Sequence, residues 1–266
     1  MSTFTQPEQT INRDRWGRPL VIPPGGGNPI PYTRATTVAG TLDDTHALTR
    51  WKQRQTAIGL ADRPDLALAV TAHRDDKRQL DDVCEQAMEA SQSSAKATTG
   101  TALHTLTEHV DRGDELPTIP DGVAADLNAY QQATVGLEVV EIEQFVVLDD
   151  LKIAGTADRI VRWNGMNFIA DLKTGQISYG IQKIAAQLAI YSRGVAYNID
   201  TGDRNPLPDV HPTAGIVIHL PAGEARCELH WIDLRRGWEA VQLALQVRQW
   251  RKEKNLTKPF TPGGAS

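Results

Sequence analysis

Two aspartates and a lysine flank the strongest short turn signal in the chain. The stretch runs Gly155-Thr-Ala-Asp158-Arg-Ile-Val-Arg-Trp163-Asn-Gly-Met166-Asn-Phe-Ile-Ala-Asp171-Leu-Lys173. Asn164-Gly165 suits a two-residue type I′ turn, whose central residues both need positive φ. Such a loop fixes the register: Trp163 faces Met166, and Asp158 lies directly opposite Asp171, with Cβ atoms about 4.5–5.5 Å apart. The period of two brings Lys173 to the side of Asp171. Like charges facing one another destabilise a sheet unless a divalent cation bridges them or one acid is protonated. Mg²⁺ or Mn²⁺ takes oxygen ligands and keeps positions for water and phosphate. Lys173 would then stabilise phosphate charge or help to activate the water. The same spacing also fits a solvated hairpin whose acids pair with Arg162 and Lys173. A slip of one residue would send one carboxylate to the far face.

Three further features add to the list. His104 and Glu108 are four apart on an expected helix and share a face, as do Gln187 and Tyr191 on another. A single helical histidine is more often structural than a ligand, and an amide with a phenol occurs on many half-buried faces. Gly100 either opens the His104 helix or permits a close backbone approach.

The elements that must position these residues follow from periodicity. Residues 1–31 carry Pro19, Pro23, Pro24, Pro29, Pro31 and Gly25 to Gly27, and read as an extended, flexible lead segment. Helices are expected from the Leu42-Asp43-Asp44 cap to Leu60, from Pro64, and from Asp76 to Lys96. The last places Leu80, Val83, Cys84 and Ala87 on one stripe. Thr98-Thr99-Gly100 opens a helix with Leu103, Leu106 and Val110 inward, and another fits Val123 to Gly136. Strands are expected at Val139–Leu148, Ile153–Trp163 and Met166–Leu172. The hairpin's apolar side would carry Ala157, Val161, Trp163, Met166, Phe168, Ala170 and Leu172, with Arg159 as the misfit. A helix follows from Gly180 to Tyr197, then strands at Ala214–Leu220 and Arg226–Asp233 around Pro221-Ala222-Gly223. A closing helix spans Arg235–Lys254, and Thr261–Ser266 should fray. The fold class is α/β, a central mixed β-sheet flanked by helices with a helical N-terminal part. One domain spans 32–256 (helical 43–136, sheet core 138–233, closing helix 235–254), followed by a tail at 257–266.

Composition narrows the function classes. The 266 residues are 40% hydrophobic and 23% charged, ample for a buried core. No apolar run approaches the ~18 residues of a membrane span. No export or transit signal is visible, so the cytoplasm is expected. Cys84 and Cys227 are the only cysteines and cannot build a four-thiolate cluster. The net charge of -5 is uneven: residues 105–150 hold eleven acids against Arg112 alone, which leaves the rest net basic. Arg235–Lys258 holds seven bases with Trp238 and Trp250, and Arg34, Arg50, Lys52 and Arg54 surround Trp51. Such groups either track a phosphate backbone and stack on bases or form solvated helix faces. The acidic block is expected to face away from a nucleic acid.

Gly100-Thr-Ala-Leu-His104, Gly155-Thr-Ala-Asp158, Asp171-Leu-Lys173-Thr-Gly and Gln187-x-x-x-Tyr191, in this order, resemble the motifs of RecB-type nucleases. These are a branch of the PD-(D/E)XK superfamily that includes CRISPR-associated and phage-encoded exonucleases. The resemblance covers residues 32–255. It implies a restriction-endonuclease-like core, with Mg²⁺ or Mn²⁺ bound by His104, Asp158, Asp171 and the backbone carbonyl of Leu172. It implies Lys173 as the catalytic lysine, with Gln187 and Tyr191 supporting the site and the strand. The imidazole favours Mn²⁺. Many CRISPR-associated relatives hold an iron–sulfur cluster on four cysteines; with two, no cluster is expected here. Gly25-Gly26-Gly27 lacks a following Lys-Ser/Thr, and Lys173-Thr174-Gly175 has the wrong order for a phosphate loop, so no ATP use is expected.

The combined expectation is a metal-dependent deoxyribonuclease, an exonuclease acting on single-stranded or frayed DNA ends. It would reside in the cytoplasm (the host's, if phage-encoded), with replication or recombination proteins as possible partners. The alternatives are a structure-directed endonuclease of the same superfamily, a non-catalytic DNA-binding protein with a vestigial site, and a small-molecule phosphoesterase.

Overall fold

The computed structural model describes residues 10–91 and 95–260. Strands β1 (Leu20–Val21), β2 (Ile30–Pro31) and β3 (Thr33–Arg34) precede the short helix α1 (Ala35–Ala39). Helices α2 (His46–Asp62), α3 (Pro64–Ala72), α4 (Lys77–Ala90), α5 (Ala95–Arg112) and α6 (Asp121–Thr134) follow. Then come β4 (Glu138–Leu148), β5 (Ile153–Trp163), β6 (Met166–Lys173), α7 (Ile181–Tyr191), β7 (Val195–Tyr197), β8 (Arg204–Asn205), β9 (Ala214–His219), β10 (Glu228–Asp233) and α8 (Leu234–Trp250).

The fold is mixed α/β with a central sheet in the order β10-β9-β6-β5-β4-β7-β8, while β3 adds to β5. The β6–β9 and β3–β5 pairs are parallel and the other sheet pairs antiparallel. Helices cover both faces. α7 and α8 close one, over Val146, Ala157, Ile160, Ile169 and Val217. α5 and α6 close the other, over Val161, Phe168, Ala170, Leu172 and Ile218. α2 to α4 pack on one another around Leu66, Val83 and Ala87, a small cluster of their own.

Several boundaries differ from the expected ones. The stretch 10–31 is docked: Ile11 and Val21 are buried with Tyr32, Phe145 and Tyr197, and β1 pairs with β2. Its glycines and prolines shape turns, while the intervening apolar residues supply the anchor. The helix expected through Lys96 closes at Ala90, and Lys96 itself belongs to α5. Cys84 is exposed, off the stripe that buries Val83 and Ala87. Gly100 lies inside α5 rather than at its entry. The helix expected to reach Tyr197 ends at Tyr191, because β7 is claimed by β4 through Val146–Ala196 and Val147–Val195. Residues 261–266 lie outside the described residues. Among the described residues, no helix is long and apolar enough to cross a membrane.

Candidate active site

The edge of β5 away from β4 serves two partners. β3 takes Ile153 and Ala154; β6 takes Arg159 to Trp163. The β5–β6 register is the one Asn164-Gly165 dictates, from Trp163 opposite Met166 to Arg159 opposite Ala170. Both turn residues have positive φ, 48° and 77°. The ladder stops one pair short of the two aspartates. There the Asp158 carboxylate, rather than a backbone carbonyl, accepts the Leu172 amide at 3.0 Å. An extended residue sends its N–H and C=O to the same edge, so the Leu172 carbonyl also points toward this opening.

Alternation fails at the same place. Ala157 and Ile160 both join the cluster beneath α7, whereas Val161 joins the cluster beneath α5. Ala157 and Val161 therefore do not share the single apolar face that strict alternation predicts. Arg159, the misfit, is fully buried on the α5 side. It is held by Asp111 (Nε–Oδ2 2.5 Å) and Thr107 (Nη2–Oγ1 2.8 Å), with its guanidinium over the Tyr130 ring.

Asp171 is 1% exposed, and Lys173 Nζ lies 2.5 Å from its Oδ2. Beyond that ion pair, neither carboxylate oxygen has a hydrogen-bond partner among the described residues. Burial first, and the negative charge of Asp158 next, push its pKa up to about 7. His104 on α5 places Nδ1 3.8 Å from Asp158 Oδ2. Burial lowers the His104 pKa, which favours the neutral ring that a metal needs. Gly100, one turn earlier, brings α5 against Thr174: a Cβ there would lie 2.5 Å from Thr174 Oγ1. From α7, Gln187 Nε2 donates to the buried Tyr191 hydroxyl at 3.2 Å. Tyr191 occupies the space beside Gly155, where a Cβ would meet its ring and hydroxyl at 3.0 Å. Burial and the nearby Asp158 and Asp171 carboxylates raise its pKa, so it remains a neutral phenol. The structure thus gathers His104, Asp158, Asp171, Leu172, Lys173, Gln187 and Tyr191 around one break in the sheet.

Glu143 is the residue that sequence reasoning missed. Gln144 pairs with Ala157 and Ile142 with Arg159, which puts Glu143 at the position opposite Asp158 on the other neighbouring strand. It adopts φ 51°, a left-handed conformation outside the strand norm. Its side chain is open to solvent at the cleft mouth. The surrounding protein, Asp158 and Glu108 nevertheless push its pKa up toward 7. The β4–β5 pairing could have found it: the register runs unshifted from Leu148–Ile153 to Glu141–Ile160, and the one shift lies beyond, between Val139 and Glu141.

A cleft of about 680 Å³ opens here, lined among others by Gly100, His104, Glu108, Glu143 and Thr174. Glu108 and Glu143 thus belong to the cleft, contrary to the expectation that the whole acidic block faces away. The block is dispersed for separate structural reasons. Asp111 neutralises Arg159, and Asp126 accepts the Gly223 and Ala225 amides at 2.7 and 2.8 Å. Asp149 accepts hydrogen bonds from Arg204 and Tyr32.

The donor types suit a hard divalent cation, although His104, Asp158 and Asp171 do not bring one donor atom each within 4.8 Å of one another. Asp158, Asp171 and the Leu172 carbonyl offer oxygen, and His104 adds one nitrogen. A buried carboxylate with a single cationic neighbour and no other donor is the kind of group that a cation satisfies. Arg34, Arg50, Trp51, Lys52 and Arg54 are all exposed, as are Arg235, Arg236, Trp250, Arg251 and Lys254. Trp238 is not a free stacking surface: it is partly buried, with Arg193 over its ring at 4.7 Å. Neither family models nor curated proteins give any match to this chain.

Proposed function

We propose that this protein is a metal-dependent deoxyribonuclease, with a catalytic centre at the break between β5 and β6. The observation that carries the reading is Asp171: a buried carboxylate beside Asp158, with Lys173 at 2.5 Å and no other hydrogen-bond donor among the described residues. Asp158, Asp171, His104 and the Leu172 carbonyl would hold Mg²⁺ or Mn²⁺. Such an ion, when bound, neutralises phosphate charge and lowers the pKa of a coordinated water.

The chain's own groups do the rest. Lys173, about one-third exposed and oriented by Asp171, presents an ammonium to the negative charge that develops on the phosphate. Asp158 is oriented by the Leu172 amide, which frees its remaining lone pairs for a ligand. Tyr191, kept neutral and positioned by Gln187, closes the α7 side of the carboxylate cluster. The exposed basic groups around Trp51 and Trp250 supply the electrostatic attraction for a phosphate backbone. The likeness to RecB-type nucleases favours an exonuclease acting on single strands or frayed ends.

Linear strands labelled at the 5′ or 3′ end, incubated with Mg²⁺ or Mn²⁺ beside a circular single-stranded control, test this. Exonuclease action degrades the linear strands and spares the circle; cutting of the circle identifies an endonuclease. Asp171→Asn and Lys173→Ala should each reduce cleavage at least about 100-fold. Undiminished cleavage by either variant would overturn the assignment of the site.

A further inference from the structure

A second group of metal-ligand side chains lies outside the carboxylate cluster, on the β9–β10 hairpin. His219 ends β9, and Glu228 is its direct antiparallel partner at the start of β10. His230 is two residues further along β10, so the period of two returns it to the side of Glu228. One donor atom from each of the three lies within 4.8 Å of the others. We propose that His219, Glu228 and His230 form a binding site for a divalent transition-metal ion of the Zn²⁺ class.

Each ligand is already oriented. His219 is 94% buried, and its Nε2 lies 3.0 Å from the Gly175 carbonyl. A carbonyl only accepts, so it selects the ring tautomer with hydrogen on Nε2 and leaves the lone pair on Nδ1. A histidine tied to a backbone carbonyl through its other nitrogen is the usual outer arrangement of a metal site. His230 Nε2 is buried without a hydrogen-bond partner, and Glu228 Oε2 is 3.4 Å away. Arg226 holds the other oxygen, Oε1, at 2.9 Å, which aims Glu228 as a ligand through one oxygen. Two imidazoles and one carboxylate match the three-ligand sets of Zn²⁺, with a fourth position left for water. The imidazoles select against Mg²⁺ and Ca²⁺.

The site's place in the fold gives it a role. β10 is the edge strand, and Gly175 lies two residues after Lys173 on the cleft wall. An ion held here would clamp the edge hairpin and, through His219, the Thr174–Gly175 segment.

The test uses the full chain freed of metal by chelation and dialysis. It is then titrated with Zn²⁺ alone, or with Co²⁺ as a spectroscopic substitute. Wild type should bind one ion at this site and gain about 5 °C or more in Tm at Zn²⁺ a hundredfold above Kd. His230→Ala and Glu228→Gln should each lose that gain and the visible Co²⁺ absorption. Asp171→Asn, which alters the proposed nuclease centre instead, should keep both. Loss in Asp171→Asn with retention in His230→Ala would place the ion in the cleft and overturn the proposal. Absence of any Zn²⁺-dependent shift in wild type would overturn it equally, without bearing on the nuclease reading.

Discussion

The Asp158 carboxylate takes the place of a backbone carbonyl. Its Oδ2 accepts the Leu172 amide at 3.0 Å, at the point where β6 stops pairing with β5. The contact keeps the sheet continuous in hydrogen bonding while opening it in space. It also holds Asp158 beside Asp171 although their charges repel. The repulsion of two neighbouring acids is thereby built into the fold, and under the proposed function a bound cation would relieve it.

Burial of Asp171, reinforced by the Asp158 charge, gives the metal-free protein a distinctive pH dependence. Asp171 has a folded-state pKa raised from 3.8 to about 7, with burial as the chief cause. The folded state therefore retains a proton that the unfolded state has lost. Stability should fall as pH rises from about 4 to 7 and level off above. Denaturant unfolding in chelator across this range should show the decline, and Asp171→Asn should flatten most of it. Glu143 acts in the same direction, weakened by its solvent exposure.

His104 tests the metal from the helix side. His104→Ala removes the imidazole beside Asp158 and should weaken divalent-ion affinity about 10–100-fold, with partial rescue by excess Mn²⁺. Calorimetric titration of the metal measures it directly. Unchanged affinity would remove His104 from the ligand set.

The buried Arg159–Asp111 pair is expected to act first on stability. Asp111→Ala leaves the guanidinium uncompensated in the core and should cost about 3–5 kcal/mol. Replacing both, Arg159→Met with Asp111→Leu, should recover most of the loss. Urea unfolding of wild type and the two variants measures the loss and its recovery.

The end of α8 tests DNA contact. Arg251→Ala with Lys254→Ala should lower single-strand affinity and reduce the slope of log K against log salt by about 0.7 per lost phosphate contact. Binding isotherms at several salt concentrations read both. An unchanged slope would mean that these residues are only solvated.

Local chemistry alone determined the hairpin. Asn164-Gly165 demands positive φ, and a period of two carries the register from Trp163–Met166 back to Arg159–Ala170. The helical period likewise put His104 with Glu108, and Gln187 with Tyr191, on shared faces. The central mixed sheet followed from the order of the elements. These signals span a few turns or one tight loop, so short stretches of sequence contain them whole. What the sequence left undecided depends on distant segments. β3 occupies the edge that β6 abandons, and the pairing of β4 with β5 brings Glu143 opposite Asp158. Arg159 finds its counter-charge 48 residues away on α5. Desolvation of Asp171 arises from everything packed around it, not from its neighbours in the chain. Periodicity says which way a side chain turns along its own strand; only the assembled layers decide what meets it there, and how much water is left.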